Sequence, residues 1–203
     1  MEKENIKKYI AISMIFISSI IGIYHYYNNI HKTNLEKESA EVFIEETVKE
    51  NKKVEKKKKE SKTNNVINYI AVLEIPKINL KRGLVDPSSS SNNVGENIQI
   101  LNPTSMPNED NHTFILAAHS GSSQVAYFDD LNKLSNGDNV YVYYKNIKYI
   151  YKITNNYSEK KTGSIVIKKD SDESVIVLTS CSKSNTKQLV YTGKLIGKES
   201  YSE

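Results

Sequence analysis

The chain has 203 residues, with 28 Lys plus Arg against 24 Asp plus Glu and a net charge of +4. That length supports one well-packed domain plus a further segment, and the small, dispersed positive excess excludes the concentrated basic face of a nucleic-acid binder. One cysteine, Cys181, excludes an internal disulfide framework.

Residues 1–8 form a short tail of mixed charge, and Tyr9 to Tyr27 is apolar apart from three serines and His25. Nineteen such residues suffice to span a bilayer core. Tyr9 at one end and Tyr24, Tyr26 and Tyr27 at the other match interfacial aromatic belts, while Lys3, Lys7 and Lys8 favour a cytoplasmic N-terminus. Residues 9–27 are therefore expected to be a single-pass anchor in the lipid bilayer, with everything after it outside the cell. A cleaved signal peptide would need a small-residue site, but Asn28, Asn29, Ile30 and His31 follow instead.

Residues 28–65 change character: between Lys32 and Asn65 lie ten Lys and eight Glu, densest at Lys56 to Lys59. Leu35, Val42, Phe43, Ile44, Val48 and Val54 are too scattered to bury a face, so this stretch reads as a solvated spacer. Residues 66–203 remain as one domain, nearly neutral at fifteen basic against fourteen acidic residues.

That domain reads as mainly β. Ile70–Ile75, Leu80–Val85, His112–Ala118, Asn139–Tyr144, Ile147–Ile153, Ile165–Ile167, Val175–Leu178 and Leu189–Ile196 are strand candidates. Lys145-Asn146 between two alternating runs signals a hairpin. The polar stretch Ser88–Asn93 and Asn102–Asp110, with Pro103 and Pro107, mark loops, and only Val125–Leu134 has helical character. About eight short strands suit a barrel or sandwich.

Cys181 ends the apolar run Val175–Leu178 and opens into polar residues, and His119 likewise ends Phe114-Ile-Leu-Ala-Ala. A thiol and an imidazole at the mouths of stiff strands are what nucleophilic catalysis requires. An unpaired cysteine outside the cell, where thiols usually pair, adds weight to a reactive role. Metal binding is disfavoured because one Cys and one His lack two further spaced ligands.

These residues resemble the sortases, membrane-anchored cysteine transpeptidases of Gram-positive bacteria, over roughly Ile70 to Ile196. The likeness runs through four motifs in order: Leu73-Glu-Ile-Pro76-Lys-Ile-Asn79-Leu; Ile115-Leu-Ala-Ala-His119-Ser-Gly; Tyr127-Phe-Asp-Asp-Leu131 with Gly137-Asp138; and Val177-Leu178-Thr179-Ser180-Cys181, in which Val177 and Ser180 replace two threonines. The resemblance implies a closed sortase-like β-barrel of about eight strands with short helices. It implies Cys181 as nucleophile and His119 as acid and base, with no metal or organic cofactor. The partners it implies are a C-terminal sorting-signal peptide of exported proteins and an amine of a peptidoglycan cross-bridge or a pilin. Thr179, Ser180 and Gln188 are candidate substrate contacts.

One departure stands out. The family's arginine on the strand after the nucleophile falls here on Lys187 or Gln188, depending on register. Lysine keeps the charge without the planar fork, and glutamine keeps a donor without the charge. Arg82, the only arginine, is a third candidate by proximity in space. The departure keeps two other readings open, a non-catalytic or impaired binding module and an exported cysteine peptidase that only hydrolyses.

Overall fold

The structure is a computed structural model that describes residues 14, 17–24, 26, 40–44, 68–167, 169–181 and 186–201. By contacts the chain divides into residues 1–38 and 39–203. In the first unit, 17–24 are helical, and among the described residues no helix is long and apolar enough to cross a membrane. The span expected over 9–27 lies in large part outside the described residues, as does the spacer expected over 28–65 apart from helical 40–44.

The second unit is built on eight strands: β1 (Tyr69–Ile75), β2 (Leu80–Val85), β3 (Gln99–Ile100), β4 (Thr113–Ala117), β5 (Asn139–Tyr144), β6 (Ile147–Lys160), β7 (Val175–Cys181) and β8 (Lys187–Ser200). They form one sheet in the order β2-β1-β5-β6-β8-β7-β4-β3, in which β4 and β7 run parallel and every other pair is antiparallel. The sheet curls until its edge strands β2 and β3 approach each other, giving a nearly closed barrel rather than a closed one. Within it, alternate residues of the strands meet in one core, with Leu73, Phe114, Leu116, Val142, Tyr151, Ile176 and Leu178 at its centre.

Local chemistry explains most elements. Lys145 and Asn146 adopt positive φ (49° and 62°), the two-residue turn that matches the twist of a hairpin and joins β5 to β6. Gly83 takes the ring of Tyr69 against its backbone, where an added Cβ would lie 2.3 Å from ring carbons. The two-residue β3 survives because Asn92 acts as a surrogate neighbour: Ile100 N donates to Asn92 Oδ1 at 2.7 Å, and Asn92 Nδ2 donates back to Ile100 O at 3.0 Å. Those two bonds satisfy backbone groups that would otherwise stand open at the sheet edge.

Two expected elements differ. Val125–Leu134 is a series of turns ending in the 3-10 helix Leu131–Lys133, not an α-helix. Its buried Phe128, Leu131 and Leu134 recur every three residues, the period of a 3-10 turn. Ile165–Ile167 is no strand either. Ile165 and Ile167 pack instead as an apolar cover against Ile115, Val175, Val177 and Val190 on the outside of the sheet.

Among the buried polar residues, Arg82 and His112 are the two that can carry a charge. Arg82 on β2 is 7% exposed, with its guanidinium over the ring of Tyr127 at 4.0 Å and Nη2 donating to Tyr127 Oη at 2.6 Å. Burial lowers its pKa from the ordinary value, and Tyr127 opposes that shift. Tyr127 Oη in turn donates to Glu96 O at 3.1 Å, so one tyrosine links β2 to the chain entering β3. His112, fully buried, sits between Glu109 O (2.8 Å from Nδ1) and Tyr151 Oη (2.7 Å from Nε2). A carbonyl only accepts, so the neutral ring carries its proton on Nδ1 and accepts from the tyrosine. Burial, chiefly, lowers the His112 pKa, aided by Lys198 and Lys169.

Two outcomes follow. Tyr127→Phe removes the hydroxyl that serves a buried charge, and is expected to destabilise the domain by about 1.5–3 kcal/mol in urea denaturation; unchanged stability would contradict that role. For His112, a pKa depressed by folding means full stability above the unfolded value near 6.5, lost as pH falls below it because the unfolded chain takes up the proton first. Melting temperature should therefore drop between pH 7.5 and 5.5, and the slope should flatten in His112→Asn. An equal slope in that variant would remove His112 as its source.

Candidate active site

The site is a consequence of β7 being buried on both faces. Val175 to Ser180 are all buried, which is why this strand reads as an unbroken apolar run rather than an alternating one. Ile176 and Leu178 face the barrel core, whereas Val175 and Val177 face outward beneath the cover of Ile165 and Ile167. Alternation then places Thr179 and Cys181 on the outer face and Ser180 on the inner one. Cys181, partly exposed, is the last residue of the strand.

β4 lies beside β7 in parallel register, Ile115 with Val177 and Ala117 with Thr179. Two residues further on, the same register sets His119 abreast of Cys181, on strands that neighbour each other at about 4.8 Å. The chains stay joined past the end of β4: Ala118 N donates to Thr179 O at 3.3 Å, Ser180 Oγ to Ala118 O at 3.0 Å and Ser120 Oγ to Cys181 O at 2.6 Å. On its other side the His119 turn is held by Phe128 N donating to His119 O at 3.0 Å and by Gly121 N donating to Asp129 Oδ1 at 2.9 Å. His119 itself is exposed. A thiol and an imidazole thus stand together at one rim of the barrel, each on a fixed backbone.

β8 settles the register that the sequence left open. Gln188 is the direct partner of Cys181 and so shares its face, while Lys187, one residue earlier, faces the opposite side and is exposed. Gln188 Nε2 donates to Thr179 Oγ1 at 3.0 Å, and Thr179 Oγ1 donates to Leu189 O at 2.9 Å. The amide is thereby steered along the outer face with a second N–H in hand. Ser180 is buried, its hydroxyl spent on Ala118 O. Arg82 is engaged with Tyr127 on β2.

Further along the outer face, an apolar recess of ≈ 390 Å³ is lined by Pro103, Thr104, Ser105, Thr113, Ile115, Ile167 and Lys169. Ile115 is the register partner of Val177, four positions from Cys181 and so about 13 Å away at ~3.3 Å per residue. A continuous face therefore runs from an apolar hollow to the thiol. Neither this recess nor Ser120 was legible as part of a site in the sequence, since both depend on which residues share the outer face or meet across β4 and β7.

A family model for the Sortase domain matches residues 73–196. No curated protein sequence matches the chain. Among solved structures, the chain is similar to sortase C-1 from Actinomyces oris, at 25% identity over 66% of this chain and 76% of that one, with a TM-score of 0.56. Sortase C1 from Streptococcus agalactiae is 27% identical over 64% of this chain and 68% of that one, TM-score 0.55. A Clostridium perfringens sortase D5 transpeptidase is 22% identical, with a TM-score of 0.58 over 81% of this chain and all (100%) of that one, a likeness of fold. With more than half of its length matched by the family model and the same barrel in these structures, the chain belongs to the sortase family, a family of cysteine transpeptidases.

Proposed function

We propose that this chain is a transpeptidase acting on a C-terminal sorting signal, with Cys181 as nucleophile, His119 as acid and base, and Gln188 in the place of the family's arginine. The observation that carries the reading is the parallel β4–β7 register, which sets His119 abreast of Cys181 at one rim. The Cys181 thiolate attacks the peptide carbonyl carbon, the C–N bond breaks, and His119 gives its proton to the departing amine, leaving a thioester. An incoming amine then gives a proton to His119, attacks the thioester and releases Cys181. Water in place of the amine gives hydrolysis by the same route.

The substrate is a peptide laid along the outer face, its apolar side chain in the recess at Ile115 and Ile167. The acceptor is an amine of a peptidoglycan cross-bridge or a pilin. Gln188 offers its second amide N–H to the developing oxyanion; a single such donor is typically worth about 10²–10³ in rate. Lys187 faces away from Cys181 and has no part in this reading. Residues 9–27 anchor the enzyme in the bilayer with its N-terminus inside and the barrel outside, the placement that fits an exported substrate. The neutral Gln188 also favours a second reading, an impaired member that binds sorting signals without turning them over.

Incubation of the chain with a peptide library, with and without amines, followed by mass spectrometry, distinguishes these. Acyl-enzyme on Cys181, and transfer product with an amine, are expected; Cys181→Ala should show neither, and binding without acylation would support the second reading. Single-turnover acylation tests the register: Gln188→Ala should be slower by roughly 10²-fold, and Gln188→Arg faster than wild type, while Lys187→Ala and Lys187→Arg keep the wild-type rate. Slow acylation in Lys187→Ala with normal acylation in Gln188→Ala would reverse the assignment. For topology, external protease on protoplasts should digest the barrel and spare residues 1–8; a protected barrel would refute the anchor's orientation.

A further inference from the structure

The backbone ladder between β4 and β7 ends at the wide Ala118–Thr179 rung of 3.3 Å, just before the residues that bear the chemistry. Beyond it, among the described residues, no backbone-to-backbone bond ties the turn that bears His119 to Cys181. Two hydroxyls take over there. Ser180 Oγ donates across to Ala118 O at 3.0 Å, and Ser120 Oγ donates back to Cys181 O at 2.6 Å. The two acceptors are the residue before His119 and the nucleophile itself, and the two donors are the residue after His119 and the residue before Cys181. His119 is thus bracketed in sequence by two cross-strand bonds that both end on the nucleophile's strand.

The bracket works on the backbone, leaving both reacting side chains unoccupied by it. Ser180 points to the inner face, where its hydroxyl is buried, and Cys181 to the outer one, so the restraint and the reaction occupy opposite sides of the same strand. The 2.6 Å bond from Ser120 is at the short end for a hydroxyl donor, as expected of a restraint under little slack. From its other side the turn after β4 is held by Phe128 N, which donates to His119 O, and by Asp129 Oδ1, which accepts from Gly121 N.

We propose that Ser120 and Ser180 are positioning residues that fix the separation of His119 and Cys181, in place of the backbone ladder that stops short of them. The inference rests on the reading of those two as the reacting pair, and its test is built so that the two fail differently. The probe is iodoacetamide on the full chain at neutral pH, scored by the mass added at Cys181, the only cysteine. Substitutions are made in the native background and in His119→Ala, so that a serine acting through the Cys–His separation appears as non-additivity.

His119→Ala should slow alkylation. Ser120→Ala should slow it by about three- to tenfold when His119 is present and leave it unchanged when His119 is absent. Ser120→Thr, which keeps the hydroxyl, should stay within about twofold of the native rate, and Ser180→Ala should repeat the Ser120→Ala pattern from the other strand. Native alkylation in both alanine variants, or equal slowing in both backgrounds, overturns the proposal while the pair stands. Native alkylation in His119→Ala shows that the thiol does not depend on the imidazole, and overturns the pair and the proposal together. Melting curves recorded alongside separate these outcomes from loss of fold: slowing that tracks melting and is not rescued by threonine counts against positioning.

Discussion

The parallel pairing of β4 with β7 is the constraint on which this structure turns. Every other ladder in the sheet is antiparallel, and an antiparallel pair would set the end of one strand beside the start of the other. Only parallel strands bring two C-terminal ends to the same rim, and such a pair needs a long crossover between them. Here that crossover is the β5–β6 hairpin with its flanking loops. The register Ala117 with Thr179 then determines what meets at the rim, because the two chains advance in step. Residues more than sixty positions apart in sequence, Ala118 and Ser180 among them, become neighbours.

A strand that presents a thiol at its end must be rigid yet leave one side chain accessible, and β7 meets both needs by giving its faces different tasks. The inner face locks into the core through Ile176 and Leu178, and the outer face is covered over most of its length by Ile165 and Ile167. Cover ends before Cys181, which is partly exposed while the six residues before it are buried. A slip of one residue would send Cys181 into the core and turn Ser180 outward. The buried apolar residues on both faces oppose that slip at every position, so the packing that stabilises the barrel also aims the thiol.

The sequence makes some of this visible and hides the rest for identifiable reasons. The alternating run Asn139–Tyr144 and the Lys145-Asn146 turn carry their own local signal and were legible to the residue, whereas β6 runs on to Lys160, seven residues past the alternation expected to end at Ile153. β3 was not, because two residues have no periodicity and its hydrogen bonds come from the Asn92 side chain. Ile165–Ile167 looked like a strand because β-branched residues cover a sheet as readily as they build one. Val125–Leu134 has apolar residues at a spacing between those of α and 3-10 turns, and the shorter period won. The ends of two apolar runs drew attention to Cys181 and His119, since their chemistry is local to each residue. Choosing between Lys187 and Gln188 was beyond a sequence, because neighbours on a strand differ only in which face they occupy. Ser120 gave no signal for the same reason: its partner is the carbonyl of Cys181, far away along the chain.

In the proposed reading, with Gln188 in place of the family's arginine, the physics of the rim changes more than its shape. An arginine brings a charge and several donors in a planar fork. An amide brings no charge and needs less desolvation, so its worth depends on how well it is aimed before the reaction begins. Thr179 supplies that aim: its hydroxyl accepts from the Gln188 amide and donates to Leu189 O, which ties the side chain to the backbone of its own strand. In the reaction proposed for this rim, the oxyanion is therefore met by a neutral donor fixed in advance. Stabilisation of charge is traded for orientation, and a carbonyl that approaches off-line gains little. Such a site discriminates by the path of the peptide backbone along the outer face, which ties its selectivity to the same β7 strand that carries the thiol.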